Sequence, residues 1–457
     1  MRNKIIQLIA VLVFAFSFGQ NSSEAQKFLD ALFNKKYTEA GAFFAEEVKG
    51  QISDQVLAMA SMQISAGKGN YLKSTFLRTE KIEDYERIIM KSEFENGYQN
   101  IMVAFNGDSK IVGFFNAPNE TTAARPQNPK APFPYNDEEV TFSNSAEGNR
   151  LAGTLTVPEN FVKKSPAVIL ISGSGAQNRD SELMGHKPFL VIADHLARNG
   201  IASLRIDDRG TGNSEKGKEG ATSEDFAGDI SSAVQFLKHK GFSNIGLIGH
   251  SEGGMIAPMV ATKNNDVKFL VLLAAPGVSG KQLLLKQADD IGKVSGLSEQ
   301  MLKNNAELNS KIYSFVSDYK GNNLKKDVEE LIKKNLKDIP ADQVEAVAAQ
   351  QSEIVALPWF TYFLKSNPAE YLSKIKIPVL ALNGSKDLQV NAKENLAAIE
   401  KNLQSAGNKN FETREIPDLN HLFQHAETGN PAEYEKIEET FAPVVLQKIT
   451  SWILKRR

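Results

Sequence analysis

The stretch Ile245-Gly-Leu-Ile-Gly-His-Ser-Glu-Gly-Gly254 decides the fold of this 457-residue chain. An apolar strand runs directly into a G-x-S-x-G motif, and a helix is expected to follow at once. Because the chain must turn sharply there, glycine is needed at Gly249 and Gly253, and Ser251 is held in a strained conformation above the sheet edge. The N-terminus of the following helix favours a developing negative charge. The motif therefore predicts Ser251 as a nucleophile; the alternative is a glycine-rich turn with a capping serine.

A serine hydroxyl needs an adjacent base, and the partners of such a turn follow it in the order acid, then histidine. Of the six histidines, those that follow Ser251 are His421 and His425. His421 lies in a loop after the last expected strand and is predicted to be the base, with His425 at the rim. Asp387 follows an apolar strand and a glycine turn, and it is predicted to orient the imidazole. Asp418 is the alternative acid.

Two backbone N–H groups should face the oxyanion that forms during acyl transfer. One is predicted to be that of Glu252, directly after the nucleophile. The other should come from the glycine-rich loop over residues 172–180. Ser174 is the predicted donor, with Gly175 and Ala176 as alternatives because the register of the loop is open. A simple glycine-rich turn is the alternative interpretation.

From about residue 137 onward, short apolar strands alternate with helices, which predicts an α/β fold with a mostly parallel doubly wound sheet. Residues from about 280 to 370 interrupt this alternation with helical spacing, and they are predicted to form a helical cap over the site. A final helix is expected from about 431 to 455, interrupted at Pro443. The catalytic domain is therefore predicted to span 137–457.

Residues 23–116 are predicted to form a separate small α+β domain. Helices are expected around Phe28 and over 54–65, and antiparallel strands are expected over 83–90, 98–105 and 110–115. A proline-rich linker is predicted over 117–136, because proline fixes φ and removes a backbone donor.

The first residues have the pattern of a secretory signal peptide over residues 1–19. Arg2 and Lys4 precede an apolar run from Ile5 to Phe18, and small residues follow it. The run is shorter than the roughly 20 residues that span a bilayer, which disfavours the alternative of a membrane anchor. We expect cleavage near Gly19, a secreted or periplasmic protein, and no integral membrane segment after cleavage.

The composition narrows the chemistry. Hydrophobic residues make up 41% and charged residues 24% of the chain, and the formal net charge is -2. This balance predicts a globular protein and argues against nucleic acid as a partner. The chain has no cysteine, which excludes disulfides, thiolate metal sites and a cysteine nucleophile.

Two further stretches have alternative interpretations. The charged segment over 205–214 either forms a turn braced by carboxylate–guanidinium pairs or binds substrate. The aromatic residues of the segment over 359–363 either line an acyl pocket or belong to a core. These aromatic residues are Trp359, Phe360, Tyr362 and Phe363.

Taken together, these motifs resemble the α/β-hydrolase superfamily and, within it, bacterial carboxylesterases, over about residues 137–455. The resemblance is carried by Ser172-Gly-Ser-Gly, Asn178-Arg-Asp, Lys187-Pro-Phe, Asp208-Arg-Gly-x-Gly-x-Ser and Gly249-His-Ser. It implies hydrolysis of small esters with short acyl chains, with no metal or organic cofactor. Ser172 stands where a histidine often precedes the oxyanion glycine. Residues 23–116 are similar to a small uncharacterised α+β module found ahead of such hydrolases.

The leading functional prediction is therefore ester hydrolysis through an acyl-enzyme, with Ser251, His421 and Asp387 as the triad. The first alternative is a peptidase of short peptides that uses the same triad. The second is a non-catalytic binding protein on a hydrolase fold. The natural substrate and the oligomeric state are open at this stage.

Overall fold

The computed structural model describes residues 21–50, 52–65, 68–82, 85–117, 123–336 and 341–456. The chain divides into two compact units, with the division along the sequence between residues 122 and 123. The predicted signal peptide and its cleavage site lie outside the described residues. Within the described ranges, no helix is both long and apolar enough to cross a membrane.

The first unit packs helices against a four-stranded antiparallel sheet with the strand order β1-β2-β3-β4. Its core is rich in phenylalanine and includes Phe28, Phe44 and Phe105, all of which are buried. The elements are α1 (21–33), α2 (Tyr37–Gly41), α3 (Glu46–Lys49), α4 (Asp54–Ser65), β1 (Tyr71–Ile82), β2 (Tyr85–Phe94), β3 (Gly97–Phe105) and β4 (Ile111–Ala117).

Strand β1 is absent from the sequence prediction, although it is one of the longest strands of the chain. The reason is local, because the pairing of β1 with β2 shifts register between Tyr71 and Lys73 and again between Phe76 and Arg78. Each irregularity moves the following side chains to the other face, so the period-two alternation that marks a strand is lost.

The second unit is built on an eight-stranded sheet with the order β12-β11-β10-β9-β7-β8-β6-β5. All of its strand pairs are parallel except β5–β6 and β6–β8. This confirms the predicted doubly wound sheet. The strands are β5 (Tyr135–Ser143), β6 (Arg150–Pro158), β7 (Ala167–Ile171), β8 (Ala202–Ile206), β9 (Ile245–His250), β10 (Val267–Leu273), β11 (Val379–Gly384) and β12 (Phe411–Ile416).

Helices cover both faces of this sheet. Alternate residues of β7 enter different cores, because successive side chains of a strand point to opposite faces: Ile169 packs with α6, α7 and α14, whereas Val168 packs with α5 and α15. These helices are α5 (Pro188–Arg198), α6 (Ser223–His239), α7 (Glu252–Ala261), α14 (Ala392–Ser405) and α15 (Pro443–Leu454).

A helical insertion lies between β10 and β11, where the sequence predicts the cap. It has a small apolar core of its own that includes Ile312, Val316 and Val328. The helices are α8 (Gly280–Val294), α9 (Glu299–Asp318), α10 (Leu324–Asn335), α11 (Ala341–Ala356), α12 (Pro358–Lys365) and α13 (Ala369–Leu372).

The C-terminal helix is shorter than the expected 431–455. A single 3-10 turn spans Pro431–Glu433, and α15 begins only at Pro443. The residue before a proline is biased toward extended conformations, and Ala442 has ψ 126°. The helix therefore starts at this proline rather than continuing through it.

Candidate active site

Ser251 sits at the sharp turn between β9 and α7, with φ 54° and ψ −122°. The turn requires glycine on both sides of the serine. A Cβ atom on Gly249 would lie 2.1 Å from the carbonyl oxygen of Gly253, and one on Gly253 would lie 2.3 Å from that of Ile171. The N–H of Ser251 donates to the carbonyl oxygen of Leu273 at 2.9 Å. The backbone around the serine is thus held from both neighbouring strands.

Asp387 and His421 meet in a buried pair beyond the carboxyl end of β11. Nδ1 of His421 lies 2.9 Å from Oδ2 of Asp387, and the two residues are 4% and 3% exposed. The other carboxylate oxygen accepts hydrogen bonds from the N–H groups of Gln389 and Val390, both at 2.8 Å. Because the Asp387 carboxylate accepts a hydrogen bond from Nδ1 of His421, Nδ1 carries the proton of the neutral imidazole. Nε2 of His421 then has a free lone pair and can act as a base.

The alternative residues lie elsewhere. Asp418 is exposed and pairs with Lys386 at 3.0 Å. His425 is also exposed, and its Nδ1 lies 2.8 Å from Glu439. Neither side chain reaches the Asp387–His421 pair, so the geometry favours Asp387 as the partner of His421.

Ser251 and His421 line the same cavity, which has a volume of 500 Å³. The predicted oxyanion loop contributes Ser174, Gly175 and Ala176 to its wall. A Cβ atom on Gly173 would lie only 3.1 Å from Cβ of Ser251, so this loop passes directly beside the predicted nucleophile. The structure therefore places the predicted nucleophile, the predicted base and the predicted loop around one cavity.

His250 is a site residue that the sequence analysis does not single out. Its Nε2 donates to the carbonyl oxygen of His421 at 2.9 Å, and the two rings lie 4.8 Å apart. Burial and the neighbouring His421 lower the pKa of His250 to about 3, so this ring is neutral at ordinary pH. His250 thus holds the loop of His421 without adding charge. Its position directly before the nucleophile is the one signal in the sequence that could have indicated this role.

The predicted oxyanion loop is clamped at both ends by Asp208. Oδ1 of Asp208 accepts from the Ser172 hydroxyl at 2.7 Å, and Oδ2 accepts from the N–H of Gln177 at 2.9 Å. The N–H of Asp208 donates in return to the Gln177 carbonyl oxygen at 3.0 Å. Ser172, which replaces the histidine expected at this position, is therefore part of the support of the loop.

The Asp208 carboxyl group that holds the loop has a raised pKa. Burial, opposed by the hydrogen bonds from Ser172 and Gln177 and assisted by the nearby carboxylates of Glu252 and Asp229, raises the pKa of Asp208 to about 7. The sequence does not reveal this role, because nothing in it shows that the end of β8 lies beside the loop after β7.

Glu252 carries a second buried carboxylate, directly after Ser251 in the chain. It accepts from the Ser223 hydroxyl at 2.5 Å and from the indole N–H of Trp359 at 2.9 and 3.1 Å. Ser174 provides a further hydrogen bond. Burial raises the pKa of Glu252 above its usual range, and these three donors oppose the rise. Glu252, whose backbone N–H is a predicted oxyanion donor, is therefore connected through its side chain to the predicted oxyanion loop, to α6 and to the cap.

The charged segment over 205–214 is a braced turn. The Arg209 guanidinium donates a bidentate pair of hydrogen bonds to the Asp229 carboxylate, at 2.8 and 2.9 Å. Asp207 is held by Arg179, at 2.7 and 3.2 Å, and Arg205 pairs with Asp180. These pairs correspond to the structural interpretation of the segment.

The aromatic residues of the cap divide between the two roles that the sequence left open. Trp359 and Phe363 line the cavity of Ser251 and also pack in the main core of the second unit. Phe360 packs against the small core of the cap, and Tyr362 packs against the main core of the second unit.

Family comparisons agree with this architecture. Residues 187–427, more than half of the chain, match the family described as serine aminopeptidase, S33. Residues 25–114 match a family described as a protein of unknown function (DUF3887).

Individual proteins are similar to the chain at low identity. Esterase EstD of Thermotoga maritima is 25% identical over an alignment of 452 positions that covers 96% of this chain and 96% of the esterase. Est1E from Butyrivibrio proteoclasticus is 16% identical, with a TM-score of 0.38 over 70% of this chain and 98% of Est1E. A Pyrococcus furiosus esterase is 17% identical, with a TM-score of 0.42 over 73% of this chain and 97% of the esterase.

Proposed function

Because the chain belongs to the S33 serine aminopeptidase family and its second unit has the α/β-hydrolase fold, we propose that it hydrolyses carboxylic esters of short acyl chains through an acyl-enzyme on Ser251. The observation that carries the proposal is the buried Asp387–His421 hydrogen bond of 2.9 Å, on the wall of the cavity that Ser251 also lines. A buried acid, an oriented imidazole and a strained serine are the parts that acyl transfer needs.

In this mechanism the Ser251 hydroxyl oxygen attacks the ester carbonyl carbon, and Nε2 of His421 takes the hydroxyl proton. Asp387 stabilises the imidazolium that results. His421 then gives the proton to the alcohol oxygen as the bond between carbon and that oxygen breaks. Water repeats the cycle on the acyl-enzyme, releases the carboxylic acid and restores Ser251.

The oxyanion of each tetrahedral intermediate is held by backbone N–H groups of Glu252 and of the loop beside Ser251. Ser174 is our choice of donor in that loop. Asp208 holds the two ends of the loop by bonds of 2.7 and 2.9 Å. Such preorganised donors act most strongly where water is excluded.

Peptide hydrolysis is the second candidate, since the family that matches is described as a serine aminopeptidase. An aminopeptidase must bind the terminal ammonium group of its substrate, for which a carboxylate is the natural partner. The carboxylate next to the nucleophile, Glu252, is already bound by Ser223, Trp359 and Ser174. The full-length likeness to an esterase also favours esters.

The test is hydrolysis of p-nitrophenyl esters of graded acyl length and of aminoacyl p-nitroanilides by the wild type and by Ser251→Ala. We expect the esters to be cleaved best at short acyl length and the variant to be inactive but folded. Ser405→Ala, at an exposed position of α14, is the matched control and should keep full activity. Faster cleavage of the anilides than of any ester would decide for the peptidase.

We also propose that this hydrolysis takes place outside the cytoplasm. The support is the basic, apolar and small-residue pattern of residues 1–19. N-terminal sequencing of the protein after expression in a bacterial host should show a mature chain that starts near Gln20. A full-length chain retained in the cytoplasm would contradict this.

A further inference from the structure

A second cavity lies against the one that contains Ser251. Its volume is 640 Å³, and Trp359, Gly173, Gly175 and Ala176 line both cavities. The common wall therefore consists of the predicted oxyanion loop and one side chain of the cap. Ser251 and His421 line the first cavity but are not among the residues that line the second.

The interior of the second cavity is largely apolar. Several of its charged residues are paired within the protein, as Arg209 pairs with Asp229 and Lys218 with Asp225, whereas Lys216 and Glu219 are exposed to solvent. The apolar side chains come from the sheet and from α6 and α7. They are Leu151, Leu170, Ile206, Phe226, Ile230 and Ile256.

Trp359 is firmly held in the common wall. Its indole N–H donates to both oxygens of Glu252, at 2.9 and 3.1 Å. Its ring stacks on that of Phe363, with centroids 5.7 Å apart and planes 24° apart. An indole fixed by a buried carboxylate on one side and by a stacked ring on the other does not rotate away at low cost.

The position of His421 decides which part of an ester would approach this wall. The leaving alcohol must lie near His421, which gives it a proton. The acyl chain therefore extends from Ser251 on the side away from His421. The loop over 173–176 borders Ser251 through Gly173, and it lines the cavity together with Trp359.

From this geometry we infer that Trp359 sets the upper limit of acyl length by closing an apolar compartment into which longer chains would otherwise extend. The inference rests on the proposed function of Ser251. Removing the indole should join the two cavities, and each methylene that then becomes buried should favour binding about fourfold.

The experiment measures how fast p-nitrophenyl alkylphosphonates with methyl, hexyl and dodecyl chains modify Ser251. In this reaction a bond forms between the serine oxygen and phosphorus as p-nitrophenolate leaves, and the hydroxyl proton passes to His421. The alkyl group on phosphorus takes the place of the acyl chain. The measured quantity is the ratio of the dodecyl to the methyl rate, so a general loss of reactivity cancels.

We expect Trp359→Ala to raise this ratio at least about fifteenfold over the wild type, the equivalent of two buried methylenes. Trp359→Phe removes the hydrogen bond to Glu252 but keeps an aromatic ring in the wall, and it should leave the ratio near the wild-type value. Ala221→Phe, which fills part of the second compartment, should cancel the gain in the Trp359→Ala background and change nothing alone.

An equal ratio in the wild type and in Trp359→Ala would overturn the inference. A raised ratio that Ala221→Phe does not reduce would also overturn it, because the chain would then lie elsewhere. If phosphonates label Ser251 but no ester is turned over, the proposed function is wrong. The inference about Trp359 is then still tested by the ratio of the dodecyl to the methyl labelling rate. A wild type that no phosphonate labels would overturn both.

Discussion

At the scale of single residues, the site depends on where each carboxylate obtains its hydrogen bonds. Asp387 is buried. One of its carboxylate oxygens accepts hydrogen bonds from two backbone N–H groups, and the other accepts one from His421. Asp418, the other acid considered from the sequence, is exposed and pairs with Lys386. Burial and the hydrogen bond, rather than residue type, therefore separate the proposed catalytic acid from a surface carboxylate.

Asp387→Asn should lower kcat for a short ester on the order of 10⁴-fold. The asparagine amide can donate to Nδ1 of His421, which favours the tautomer whose Nε2 carries the proton and cannot act as a base. Asp418→Asn is the matched control and should keep the wild-type kcat. Equal activity of Asp387→Asn and Asp418→Asn would remove Asp387 from the triad.

The raised pKa of Asp208 leads us to expect that the free energy of unfolding depends on pH. Its pKa of about 7 lies above that of an unfolded aspartate, so the folded protein binds the proton more tightly. Stability from this group is therefore present at low pH and is lost as the pH rises toward 7. Between pH 5 and 6.5 it should contribute a decrease of about 1 kcal/mol per pH unit in the free energy of unfolding.

Urea denaturation of the wild type and of Asp208→Asn across this pH range isolates that contribution. The difference in free energy of unfolding, wild type minus variant, should fall as the pH rises. A difference that is constant with pH would show that Asp208 is ionised throughout.

At the scale of elements, the β9–α7 turn is the part of the molecule that the sequence specifies best. Gly249 and Gly253 stand where a Cβ atom would clash with backbone atoms, and Ser251 between them adopts φ 54°. β9 begins at Ile245 and α7 follows Ser251 directly, as the motif predicts. Local sterics and local hydrophobicity act together there.

Gly249→Ala should destabilise the protein by roughly 3 kcal/mol and abolish ester hydrolysis. The new Cβ atom would lie 2.1 Å from the carbonyl oxygen of Gly253, and neither strand nor helix can move far. Gly228→Ala, within α6, is the control, because a Cβ atom there meets its nearest neighbour at 3.6 Å. It should raise stability by roughly 0.5–1 kcal/mol through helix propensity. Urea unfolding of both variants checks the contrast, and similar stabilities would refute this account of the turn.

Other elements could not be derived from the sequence, for physical reasons. The irregular pairing of β1 at Tyr71 and Phe76 breaks its alternation. The clamp of the loop after β7 by Asp208 depends on which strands are neighbours, and the contact of Trp359 with Glu252 joins residues 107 positions apart. Sequence periodicity reports which face of an element is buried, but it does not report which element covers that face.

At the scale of the whole molecule, the two units have separate cores. The phenylalanine-rich core lies within the first unit, and the two large cores and the core of the cap lie within the second. Every residue of the proposed mechanism belongs to the second unit. A unit with its own core and a complete site is expected to fold and act alone.

A truncated chain of residues 123–457 should therefore fold and cleave short p-nitrophenyl esters with a kcat within about threefold of the full chain. Near-ultraviolet circular dichroism and ester kinetics, with the full chain prepared alongside, would check this. A folded but inactive truncated chain would place part of the site in the first unit.

The most direct test of the central claim is to trap the acyl-enzyme. The protein is mixed with p-nitrophenyl butyrate, quenched with acid within the first turnover, digested and analysed by mass spectrometry. We expect one butyryl group on the peptide that contains Ser251, an initial burst of p-nitrophenolate when deacylation limits turnover, and no modified peptide from Ser251→Ala. A butyryl group found on another residue, or undiminished turnover by Ser251→Ala, would contradict it.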